Sequence, residues 1–83
     1  MDDLNNRIWM YQGMMLADLI QSLKDAEWTS REQFLDLLDI YSADLYGTLV
    51  GSYDFIDYTP AEIQRAIFEE VEEVIDVDYY KHQ

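Results

Sequence analysis

Residues 59–77, TPAEIQRAIFEEVEEVIDV, decide the fold. Thr59 supplies a side-chain oxygen for the free N–H groups of a first helical turn, and Pro60 has a φ already suited to the first helical position. Glu62, three residues after the threonine, can return a hydrogen bond to the Thr59 N–H and complete a capping box. Tyr58 before the cap and Ile63 after it suit a hydrophobic staple. Ile63, Ile67, Val71, Val74 and Ile75 then recur at three- and four-residue steps, which is the period of one helix face. The stretch predicts a helix over 60–77 whose apolar face must be buried against other helices.

Two further segments can supply that partner surface. Upstream, Thr29 with Glu32, or Ser30 with Gln33, offers a second capping box. Phe34, Leu37, Leu38, Tyr41, Leu45 and Leu49 follow as one stripe, and Gly47 and Gly51 punctuate its end, which predicts a helix over 30–49. Further upstream, Leu4, Ile8, Tyr11, Met15, Leu19 and Leu23 share a face that Trp9, Leu16 and Ile20 widen. That segment predicts a helix over 3–24, with Asp2 and Asp3 at its positive end and Lys24 at its negative end. Met10, Met14 and Met15 beside Trp9 are expected in the core, with a self-association surface as the alternative. Residues 51–58, GSYDFIDY, alternate aromatic and acidic side chains and predict a loop or short helical turn, a short strand being the other option. Phe55 is expected to be core, and Tyr53 and Tyr58 partly exposed. The expected architecture is all-α: a small three-helix bundle, with a short fourth helix around 51–57, in one domain spanning 1–83.

Composition narrows the class. Hydrophobic residues make up 49% of the chain and aromatic residues 14%, too many for a chain that stays disordered. There is no cysteine, so disulfides and thiolate metal sites are excluded, and a reducing, cytoplasmic setting is expected. No apolar run approaches the ~20 residues of a membrane span. The acidic start predicts no cleaved signal peptide.

Eighteen Asp and Glu against five Lys and Arg leave a net charge of −13 over 83 residues. The excess is concentrated: from Glu32 to Asp78 there are thirteen carboxylates and one base, Arg65. Such charge argues against direct contact with nucleic acid or anionic membrane. Glu32, Asp36 and Asp39 fall on one outward helical face. Glu62, Glu69, Glu72, Glu73 and Asp76 fall on another, with Glu70 at its edge. Asp44, Asp54 and Asp57 lie between, among Tyr46, Tyr53, Phe55 and Tyr58, with Tyr79 and Tyr80 beyond. Several of these positions oppose stability. Glu69–Glu73 and Glu72–Asp76 are like charges one turn apart, each costing roughly 0.2–0.5 kcal/mol. Glu72, Glu73 and Asp76 crowd a helix C-terminus, where the dipole disfavours anions by roughly 0.3–1 kcal/mol each. A solvated face is the simplest account of any charge run, but solubility needs a net charge of only about 2–8. A cationic partner explains the remainder, and tyrosines beside carboxylates suit such an interface. The predicted partner-binding set is Glu32, Asp36, Asp39, Asp44, Tyr53, Asp54, Asp57, Tyr58, Glu62, Glu69, Glu72, Glu73 and Asp76.

Catalytic chemistry is not expected. The one histidine, His82, sits next to the end, and Ser22, Ser30, Ser42 and Ser52 have no base near them in sequence. Gly13, Gly47 and Gly51 are isolated rather than gathered in a phosphate loop. There is no EF-hand spacing and no Glu-x-x-His pair, so neither metal nor cofactor is expected.

In size, charge and helical acidity the chain resembles, as a class, the small acidic proteins with which phages and mobile elements block host defence, anti-restriction and anti-CRISPR proteins among them. That resemblance implies a DNA mimic, its helical carboxylates standing in for phosphates. Its target would be a basic nucleic-acid-binding host protein such as a restriction enzyme or a CRISPR effector. The turn Tyr53–Tyr58 (YDFIDY) before Pro60 is also similar to the acidic, tyrosine-containing turn before the last helix of the short helical immunity proteins of nuclease bacteriocins. This second resemblance implies an immunity protein or antitoxin that neutralises a cationic nuclease. A helical oligomerisation or scaffold module built on the first segment is the third expectation, and the chain is expected to be a monomer or a homodimer.

Overall fold

The computed structural model describes residues 3–75. The protein is a small all-α helical bundle of α1 (Asp3–Asp25), α2 (Arg31–Tyr41), α3 (Ala43–Val50) and α4 (Pro60–Val74), with a 3-10 turn at Tyr53–Phe55 between α3 and α4. No strand occurs among the described residues. The longest helix, α1, is the spine against which α2, α3 and α4 all pack. Ile8, Leu16 and Leu23 of α1 meet Phe34 and Leu38 of α2, Leu45 and Leu49 of α3, Phe55, and Ile63, Ile67 and Val71 of α4 in one contiguous core. Burying each such side chain contributes about 1.5–3 kcal/mol.

The predicted first helix forms over almost the expected range, but it is not straight. Gln12 leaves helical geometry (φ −135°, ψ 38°), immediately before Gly13. Kinks of this kind gather at glycine. The inward face shifts accordingly. Leu4 and Ile8 point inward before the kink, and Leu16, Leu19, Ile20 and Leu23 after it. Tyr11 and Met15, expected on the buried face, become exposed and half-buried respectively, and Leu16 takes the central place. Met10 and Met14 are not core residues. They are 72% and 84% exposed, on the side of α1 turned away from the core.

The segment expected as one helix over 30–49 is two helices broken at Ser42. Of the two capping options the chain uses Ser30, whose side chain accepts from Gln33 N at 3.2 Å, while Gln33 Oε1 accepts from Thr29 N at 2.9 Å. Ser42 is buried where a continuous helix would place an inward residue, and its Oγ donates back to the Asp39 carbonyl at 3.4 Å. A hydroxyl that bonds the preceding turn competes with the helical pattern and bends the chain. Tyr41, expected in the stripe, is turned out to solvent. Gly47 lies inside α3 rather than at its end, and Gly51 is the C-cap.

The start of α4 follows the sequence closely. Thr59 N donates to Glu62 Oε1 at 2.9 Å, and Glu62 N donates to Thr59 Oγ1 at 3.2 Å, closing both halves of the capping box. The helix ends earlier than the expected residue 77. Ile75 is extended (φ −105°, ψ 113°) and fully buried, which leaves Val74, expected inside, on the outer side. Asp76 and Val77, like Tyr79 and Tyr80, lie outside the described residues.

Candidate partner-binding surface

The acidic aromatic turn is a rigid display. Ser52 Oγ accepts from Asp54 N at 3.3 Å, and the N–H groups of Phe55, Ile56 and Tyr58 reach the carbonyls of Ser52, Tyr53 and Phe55. Phe55 is buried, with the Tyr11 ring edge-on at 5.7 Å and the Tyr58 ring at 6.5 Å. Arg7 of α1 clamps the outside: Nη1 donates to the Asp54 carbonyl at 3.2 Å, and the guanidinium lies 5.6 Å from the Tyr58 ring centre. What the turn presents to solvent is Tyr53, 83% exposed, with Ile56 and the carboxylates of Asp54 and Asp57. Tyr58 is half-buried and serves the clamp as much as any surface. Phe55, Tyr53 and Tyr58 thus take the places expected of them. Arg7 and Ile56 were not singled out by the sequence.

A second acidic surface flanks a groove between the start of α1 and the last turns of α4. Asn5, Asn6 and Trp9 line one side, and Glu69, Glu70, Glu72 and Glu73 the other. Two of these carboxylates are spoken for inside the chain. Glu70 accepts from Asn5 Nδ2 at 2.7 Å and from Trp9 Nε1 at 2.5 Å, and Glu72 pairs with Arg31 at 3.0 Å. Glu69 touches Asn5 at the long distance of 3.4 Å, and Glu73 has no hydrogen-bond or ion-pair partner among the described residues. Glu69 and Glu73 therefore carry the outward charge here. Glu70 joins α4 to α1, a role the sequence signalled only through two donors, Asn5 and Trp9, one turn apart on α1. Trp9 was expected as part of the apolar face; its indole N–H instead stands at the rim, where it finds an acceptor.

The remaining predicted residues are spread out rather than gathered. Glu32, Asp36 and Asp39 are exposed on α2. The Arg31–Glu72 pair ties the start of that helix to the end of α4. The break at Ser42 moves Asp44 onto α3, where it shares a shallow groove with Leu19 and Ser22 of α1 and with Ile40 and Tyr41 of α2. Glu62 is occupied by the α4 cap. Hydrogen bonds from the Thr59 backbone and then the Thr59 side chain hold its carboxyl below the ordinary value of 4.5, with a smaller contribution from the charge of Arg65. Asp76 lies outside the described residues.

Among the described residues no three acidic or histidine side chains converge as a metal site requires, and no helix is long and apolar enough to cross a membrane. No protein-family model, curated protein or solved structure matches the chain.

Proposed function

We propose that the protein is a small acidic inhibitor that binds a basic, nucleic-acid-binding host protein and keeps nucleic acid off it, as a DNA mimic of phage or mobile-element type does. The supporting observation is the set of carboxylates left unused within the fold. Glu32, Asp36, Asp39, Asp44, Asp54, Asp57 and Glu73 are exposed, and their carboxylates have no hydrogen-bond or ion-pair partner among the described residues. Among the described residues one intrachain ion pair, Arg31–Glu72, stands against them. Carboxylates carried on helices and on a clamped turn stand on backbone that is already ordered, so a cationic partner has only their side chains left to fix. The test is capture from host extract at low and high salt, followed by competition with DNA for the captured protein. A basic nucleic-acid-binding partner, released by salt and competed by DNA, is the expected result. A salt-indifferent partner, or none that is basic, overturns the proposal.

One observation favours the antitoxin or immunity alternative: Tyr53 stands out on a rigid turn between carboxylates, the arrangement of an interface anchor. On that alternative Tyr53→Ala loses most of the binding to a cationic nuclease, whereas a mimic held by distributed charge loses little.

A further inference from the structure

We infer that the groove between the start of α1 and the last turns of α4 seats an arginine side chain of the cationic partner, its guanidinium stacked on the Trp9 indole and forked across Glu69 and Glu73. The inference rests on the inhibitor reading for its partner and goes beyond it in naming the anchor. The groove holds about 660 Å³, within the range of ligand sites, and so admits a whole side chain. One wall is aromatic. Trp9 is 36% exposed, and the bond from its Nε1 to Glu70 fixes the ring at the rim. The opposite wall is acidic. Glu69 and Glu73 are both exposed and stand one turn apart, with about 5–6 Å between Cβ atoms.

The chemistry selects the occupant. An aromatic face attracts a cation, and tryptophan does so most strongly. Two carboxylates at this spacing suit a planar fork of donors better than the single point charge of lysine. The apolar stem of an arginine lies along the indole while its head meets the carboxylates. The fold already uses both contacts. Arg31 lays its guanidinium on Glu72, another carboxylate of the same groove, at 3.0 Å, and Arg7 stands over the Tyr58 ring. Arg65, one turn before Glu69, forms no ion pair with it, so among the described residues Glu69 and Glu73 are left without a guanidinium. Proteins that hold nucleic acid present arginines to its phosphates, so a partner of that kind carries the occupant.

Titration of the isotope-labelled full chain with a hexa-arginine peptide tests this by magnetic resonance, at about 0.15 M salt to screen distant charges. The chain has two tryptophans and therefore two indole N–H signals. Trp9 reports on the groove, and Trp9→Phe identifies its signal. Trp28, whose N–H donates to the Leu23 carbonyl at 3.2 Å, reports on the fold. The Trp9 signal is expected to shift and the Trp28 signal to stay, with hexalysine binding more weakly. Glu69→Gln with Glu73→Gln should weaken hexa-arginine about tenfold through the loss of two exposed pairs. Glu32→Gln with Asp36→Asn, the same charge change on α2, should weaken it less than about twofold. An unmoved Trp9 signal, movement of both signals, equal affinity for hexalysine, or equal losses from the two double variants overturns the site. The inhibitor reading fails separately. A basic host partner captured equally well by the Glu69→Gln/Glu73→Gln chain overturns the anchor and leaves that reading standing. A chain that takes hexa-arginine in the groove but captures no basic partner overturns the reading and not the site.

Discussion

Trp9 Nε1 donates to Oε1 of Glu70 at 2.5 Å, so α4 is docked on α1 through a carboxylate that meets an indole and an amide rather than a cation. Trp9→Phe keeps an aromatic six-membered ring but removes the N–H together with the rest of the indole. A hydrogen bond to a charged acceptor is worth about 1.5–3 kcal/mol when buried and less at a rim such as this. The expected loss is about 1 kcal/mol in urea unfolding, with an unchanged slope. Equal stability of the variant would mean that the apolar contact alone sets the docking.

Glu69 and Glu73 stand one turn apart near the C-terminal end of α4, and no base occupies its last turn. Glu69→Lys with Glu73→Lys exchanges one like-charge pair for another, but it places cations where the helix dipole favours them, by roughly 0.3–1 kcal/mol each. Thermal melting should show equal or higher stability, while capture of a basic partner is lost. A variant that unfolds would show that these carboxylates are structural.

The ease with which α4 is read, and the difficulty of α1 and α2–α3, have a common physical origin. The capping box at Thr59 and Glu62 involves neighbours in sequence, and local chemistry alone fixes it. Phe55 is the buried residue of its turn, packed between the rings of Tyr11 and Tyr58, while the adjacent and equally apolar Ile56 stays exposed. The kink at Gln12 and the break at Ser42 depend on how helices bend around a shared core. In both places the apolar spacing is compatible with a straight helix, so the pattern conceals the bend. The pairing of Glu70 with Trp9 spans 61 residues and needs the packed arrangement of α1 on α4. The outward carboxylates of α2 were legible from periodicity, but their separation from Asp44 was not, because it follows from the break at Ser42.

Gly47 illustrates the same point, since a glycine near a predicted helix end looks like a stop signal. It lies within α3, is exposed, and has no atom near the position a methyl group would take. Gly47→Ala should therefore raise stability by about 0.5–1 kcal/mol through the lower entropy of the unfolded chain. Chemical denaturation checks this directly. A destabilised variant would mean that the helix needs the freedom of glycine at this point.

Arg7 holds the 53–58 turn by its bond to the Asp54 carbonyl and its place over Tyr58. Arg7→Met keeps much of the aliphatic stem and removes the charge. A cation–π contact at an exposed site is worth about 0.5–1 kcal/mol. Amide hydrogen exchange should accelerate from Asp54 to Tyr58 and leave α2 unchanged, because the clamp acts on the turn alone. Uniform acceleration through the whole chain would instead identify Arg7 as part of the global fold.

Glu62 gives the fold a pH dependence of known sign. The Thr59 hydrogen bonds favour its ionised form and hold its carboxyl below the ordinary value of 4.5. A group whose folded value is depressed binds its proton more readily in the unfolded chain. Its contribution is therefore present above about 4.5 and is lost as pH falls through the folded value. The remaining carboxylates complicate the raw profile, since acidification also relieves the repulsion of a −13 chain. Comparison with Glu62→Gln separates the two, because every other group is common to both proteins. At neutral pH the wild-type chain should melt higher than the variant. The gap should close below 4.5 as Glu62 takes up its proton and comes to resemble a neutral amide. A gap that persists unchanged at acid pH would show that the cap acts through shape and not through charge.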